Sequence, residues 1–119
     1  MTQKPKGIPK VSDLGEFEEI TSKGLAVVII SASWCGVCRY FEPTTAKLAK
    51  EYSNIKFLKI DLDEAEEAMP DAVEHVCTVP HFDFYHNGEI VGEYSGSKAD
   101  QLKNAIEKFR LQSKDDNQT

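Results

Sequence analysis

The segment that most constrains this chain is Val27-Val28-Ile29-Ile30-Ser31-Ala32-Ser33-Trp34-Cys35-Gly36-Val37-Cys38-Arg39. It opens with four β-branched residues in a row, which suits a strand covered on both faces. A short polar turn follows, and then two cysteines separated by two residues. Beyond them Phe41, Thr45, Leu48, Ala49 and Tyr52 recur at helical spacing, so a helix follows the cysteines. The pair therefore stands where a buried strand gives way to a helix.

The junction carries chemistry. The first turn of a helix presents unpaired N–H groups and the positive end of the helix dipole. A thiolate placed there is stabilised and more nucleophilic at neutral pH. Cys35 stands at the helix entrance, and Cys38 lies one turn deeper. Such a pair can form a mixed disulfide with a partner and then resolve it internally. A structural disulfide or half of a zinc site is the other reading of the spacing. The remaining ligands of a zinc site would come from Cys77, His75, His81 or His86. Trp34, Gly36 and the helix that follows favour redox chemistry, and no metal site is expected, at the pair or elsewhere. Three cysteines in all are too few for a disulfide scaffold.

Elsewhere the chain reads as one domain over residues 8–112, with a flexible arm at 1–7 and a disordered polar tail at 113–119. Residues 8–11 read as a short edge strand that tolerates Pro9. Ser12 is the expected cap of a short helix carrying Leu14, Phe17 and Ile20, closed by Gly24. Pro43 should kink the long helix. Residues 55–62 read as a second buried strand. The acidic run from Asp61 to Glu74 reads as a solvated helix face over Ala65, Met69 and Val73, with Pro70 kinking it or opening its main turn. Asn87-Gly88 between two alternating runs signals a hairpin. Ser97 and Asp100 suggest a capping box ahead of a last helix that turns Leu102, Ile106 and Phe109 inward. The order β α β α β α β β α predicts an α/β domain, a mixed sheet with helices on both faces.

Charge narrows the partners. Fourteen Lys and Arg stand against 20 Asp and Glu, a net charge of −6. That balance argues against a nucleic-acid partner and fits a soluble monomer. No apolar run reaches the ~18 residues of a membrane span. The basic start lacks the apolar core of a secretory signal, so a cytoplasmic protein is the expectation.

Trp34-Cys35-Gly36-Val37-Cys38, then Pro43, then Val79-Pro80, then the hairpin ending in Gly92-Glu93-Tyr94-Ser95-Gly96 together resemble the thioredoxin family over nearly the whole chain. The resemblance implies a thioredoxin fold, with a central mixed sheet of four to five strands. It implies a protein-disulfide reductase with Cys35 attacking and Cys38 resolving. It implies Trp34, Gly36, Val37, Val79, Pro80 and Gly96 as the substrate-binding surface, with a cis Val79–Pro80 bond facing the sulfurs. It also implies no bound cofactor, recycling by an external NADPH-dependent thioredoxin reductase, and disulfide-containing proteins as substrates, peroxiredoxins among the candidates.

Three departures bear on activity. Val37 stands where the family has proline, and its retained N–H can stabilise the thiolate and make the pair more oxidising. Ile29 stands where the family has a buried aspartate that helps move the proton off the resolving cysteine. Lys59, which neighbours that position, has lost its carboxylate, and His81 follows Pro80 where threonine is usual. Lys59, Asp61 and His81 are therefore the candidates for tuning the pair, with Asp61 the candidate proton carrier. A disulfide isomerase or oxidase, or an interaction module with slow turnover, are the alternative functions.

Overall fold

A computed structural model describes residues 7–117. The first helix, α1 (Leu14–Thr21), leads to strand β1 (Leu25–Ser31), helix α2 (Gly36–Glu51), strand β2 (Lys56–Asp61) and helix α3 (Leu62–Ala68). A single 3₁₀ turn (Pro70–Ala72), strands β3 (His81–His86) and β4 (Glu89–Ser95), and helix α4 (Ala99–Asn117) complete the chain. The sheet order is β2-β1-β3-β4, with β1 parallel to β2 and antiparallel to β3, and β3 antiparallel to β4. This is the four-stranded mixed sheet of a thioredoxin fold.

Side-chain alternation along the strands divides the core in two. Val27, Ile29, Phe57, Phe82 and Phe84 face one layer, where Phe41 and Leu48 of α2 and Leu102, Ile106 and Phe109 of α4 cover them. Val28, Ile30, Leu58, Ile60 and Tyr85 face the other, under Phe17 of α1 and Ala65 of α3. The run at 27–30 is buried throughout because β1 lies between two strands and beneath both helical layers.

Local differences from the sequence reading have local causes. The edge segment at 8–11 makes one parallel bridge, Lys10 to Lys59, rather than a full strand. Asp13, not Ser12, caps α1, its carboxylate accepting from the Glu16 N–H at 2.9 Å. A carboxylate also suits the positive helix end better than a hydroxyl. The second strand ends at Asp61 because that residue caps α3. Pro43 sits inside an α2 that runs unbroken to Glu51. Pro70 begins the separate 3₁₀ turn. At the entrance of α4 the Lys98 N–H donates to the Tyr94 hydroxyl and the Gln101 N–H to Asp100, in place of a Ser97–Asp100 box. The polar stretch from 113, expected as a disordered tail, is helical as far as Asn117, and Ser113 is buried. The arm expected at 1–7 lies outside the described residues save for Gly7. The hairpin turns at Asn87 and Gly88, both at positive φ (52° and 88°), as its right-handed strand twist requires.

Candidate dithiol active site

The site forms where β1 leaves the sheet and α2 begins. Cys35 is the N-cap of α2: its backbone is extended, and its Sγ accepts the Cys38 N–H at 3.1 Å. The Arg39 guanidinium donates to the Ser33 carbonyl at 3.1 Å and ties the turn to the helix it precedes. Val79 and Pro80, joined by a cis peptide bond, approach from the opposite side, and the Cys35 thiol lies 3.9 Å from the Val79 carbonyl oxygen. Gly96 closes the same edge, its N–H donating to the Pro80 carbonyl at 3.2 Å. Its φ is +139°, and a Cβ there would come within 2.8 Å of the Tyr94 hydroxyl, so the position suits glycine.

The two sulfurs have unequal surroundings. Both cysteines are buried, Cys35 at 8% and Cys38 at 6% exposure, but Cys35 caps the helix whereas Cys38 packs beneath it against Ala32 and Cys35. Burial pushes the Cys38 thiol up from 9.0 to about 11, and the hydrogen bond with the Cys35 side chain and the Cys35 charge push the same way. One sulfur is thus held on a helix cap and the other is held protonated beneath it.

Around the pair the surface is apolar. Trp34 is 64% exposed, Val37 50% and Tyr40 84%. Trp34 is oriented by its indole N–H, which donates to Asp63 at 3.0 Å across the gap to α3. Gly36, the first residue of α2, has open space where a Cβ would stand. Tyr40 escaped the sequence reading, although its spacing of three from Val37 places it one turn along the same helix face.

Behind Cys38 lies a cavity of about 220 Å³, lined by Ile29, Ser31, Cys38, Glu42, Lys59 and Phe82 among others. The Lys59 ammonium pairs with Glu42 at 3.3 Å. A carboxylate thus stands beside Lys59 after all, delivered from α2 rather than from β1. The sequence places Glu42 on the helix face of Cys38, four residues on, and the packing of α2 on the sheet then brings it to Lys59. Asp61 shares an adjoining groove with Cys38 and Lys59, but one of its oxygens is engaged in capping α3 through the Glu64 N–H. His81 is not brought to the sulfurs. It is buried, with its ring hydrogen-bonded to Asp83 and Ser95, and it lines neither space beside Cys38. Cys77 is exposed in the loop before β3.

The Thioredoxin family model matches residues 9–108. A thioredoxin of Ophiophagus hannah is 38% identical over 104 residues, spanning 83% of this chain and 95% of its own. The oxidised thioredoxin of Plasmodium falciparum superposes with a TM-score of 0.75 at 32% identity, over 86% of this chain and 97% of that one. A chain from a study of thiol resolution in yeast mitochondrial 1-Cys peroxiredoxin via glutathione/thioredoxin systems superposes with a TM-score of 0.73 at 28% identity, over 85% of this chain and 94% of that one.

Proposed function

The chain belongs to the thioredoxin family of thiol–disulfide oxidoreductases, and on that premise we propose that it reduces protein disulfides through Cys35 and Cys38. The Cys35 thiolate attacks one sulfur of a substrate disulfide. The other substrate sulfur leaves as a thiolate, and a mixed disulfide remains. Cys38 then loses its proton and attacks the Cys35 sulfur, which releases the second substrate thiol and leaves a Cys35–Cys38 disulfide. The observation that carries this reading is the asymmetry of the pair: an amide donor on Cys35 Sγ at 3.1 Å, and a buried, strongly protonated Cys38 behind it.

The exposed faces of Trp34, Val37 and Tyr40 supply an apolar platform for a substrate chain. The Val79 backbone, on the other side of Cys35, aligns that chain. In place of the missing buried aspartate, Glu42 accepts the Cys38 proton through the cavity they share, with Lys59 holding the carboxylate in place. The domain needs no electron-carrying cofactor of its own. An external, flavin-dependent, NADPH-driven reductase restores the dithiol. Disulfide-containing proteins of a reducing compartment such as the cytoplasm, peroxiredoxins among them, are the substrates, and the monomer is the working unit.

Reduction of insulin disulfides driven by dithiothreitol tests the proposal. Cys35→Ser should abolish the activity, and Cys38→Ser should trap mixed disulfides. Undiminished activity in Cys35→Ser would overturn it. Val37 keeps an N–H that a proline would lack and so favours a second reading, a more oxidising isomerase. A reduction potential near about −270 mV supports the reductase, and one at about −180 mV or above supports the isomerase.

A further inference from the structure

On the sheet face away from the Cys38 cavity, strand register brings four metal-binding side chains together. Asp83 pairs across the hairpin with Glu93, and His81 with Ser95, in the β3–β4 ladder. Alternation along β3 turns His81 and Asp83 to the same side. His75 reaches them from the loop before β3. The His75 Nε2 lies 2.8 Å from one Asp83 oxygen. The His81 Nε2 lies 2.9 Å from the other and 3.2 Å from Glu93 Oε1. One ligand atom from each of the four falls within 4.8 Å of all the others. The geometry points to a divalent metal site of the zinc class, bound by His75, His81, Asp83 and Glu93.

Three features favour an ion over a plain hydrogen-bond network. The first is charge. Asp83 is wholly buried beside a second carboxylate, Glu93, and a divalent cation between them balances both. The second is proton count. The His81 Nε2 faces two carboxylates, and a single N–H serves both poorly, whereas a cation at that point satisfies all three groups. The third is orientation. The His81 Nδ1 is hydrogen-bonded to the Ser95 hydroxyl. When Nδ1 donates that bond to the Ser95 oxygen, Nε2 presents its lone pair to an ion, which is the outer-shell arrangement of metal-binding histidines.

Ligand type and spacing select the metal class. Two imidazoles and two carboxylates suit four-coordinate zinc. Tetrahedral bonds of about 2.0–2.1 Å put donor atoms about 3.3 Å apart. Three of the present contacts, at 2.8 to 3.2 Å, need to open by a few tenths of an ångström, and the other donor atoms, all within 4.8 Å of one another, shift by rotation of the partly exposed His75 and Glu93 side chains. The partly exposed His75 and Glu93 side chains give an ion its route in from solvent. Once bound, the ion ties the loop before Val79–Pro80 to both strands of the hairpin.

The test uses the full chain with all three cysteines replaced by serine, so that thiolates cannot contribute. Zinc chloride is titrated calorimetrically at neutral pH into protein freed of metal with a chelator, and cobalt(II) reports geometry through its visible absorption. One equivalent of zinc and the intense bands of four-coordinate cobalt are expected. His75→Ala and Glu93→Gln, at partly exposed positions where the fold tolerates change, should each weaken binding by more than about tenfold. Absence of zinc binding in the cysteine-free chain, or affinity unaltered in both variants with native circular dichroism, would overturn the assignment.

Discussion

Replacing Cys35 with serine exposes the state of Cys38 that governs the second step of the proposed exchange. In the mixed disulfide Cys35 is bonded to substrate and carries no charge, and Cys35→Ser reproduces that neutrality in a stable protein. The hydroxyl keeps the side chain short and polar at the helix cap. In the native dithiol the Cys38 thiol is pushed from 9.0 to about 11, by burial first and by Cys35 second. At pH 7 a thiol with that value is ionised about once in 10⁴ molecules, against about once in 10² for an unperturbed one. Removing the Cys35 charge should recover part of that hundredfold and leave the part due to burial. The pH dependence of Cys38 alkylation by iodoacetamide measures it directly, with Cys77 changed to serine to leave one reactive thiol. The midpoint should fall below about 11 and stay above 9.0. A midpoint at or below 9.0 would refute burial as the principal cause, and one unmoved from 11 would refute any contribution from Cys35.

Glu42→Gln should slow the resolving step by about tenfold to a hundredfold, at or below the low end of what a positioned base contributes. Single-turnover reduction of a preformed mixed disulfide should show the loss near neutral pH and its disappearance in alkali, where solvent base ionises Cys38; an unchanged pH profile would remove Glu42 from the pathway. Tyr85 supplies a stability prediction. Burial, and behind it the Asp83 charge, lifts its phenol from 10.0 to about 12, so the folded chain keeps a proton that the unfolded chain gives up. That stability is complete below pH 10 and drains away as pH rises toward 12. Urea midpoints of wild type should therefore fall more steeply over that range than those of Tyr85→Phe, and parallel curves would refute the shift.

Much of this fold is local and could be read along the chain. The apolar run at 27–30, the Cys35–Cys38 spacing at a strand-to-helix junction, and Asn87-Gly88 each act through neighbours in sequence. Helix ends were read less well. A cap turns on which of two adjacent polar side chains reaches an N–H, as Asp13 does in place of Ser12. The last helix overran its expected end, and Ser113 near that end is buried.

The sequence by itself determined the order of strands and helices from the first helix onward, the dithiol and its place at a helix entrance, because periodicity and spacing encode those within a few residues. Only the tertiary structure decided which carboxylate serves Lys59, because Glu42 and Lys59 meet across the interface of a helix and a strand. The same holds for His75, His81, Asp83 and Glu93. Their meeting depends on the register of β3 against β4 and on the path of the loop before them, and long-range pairing of that kind leaves no periodic trace in the chain.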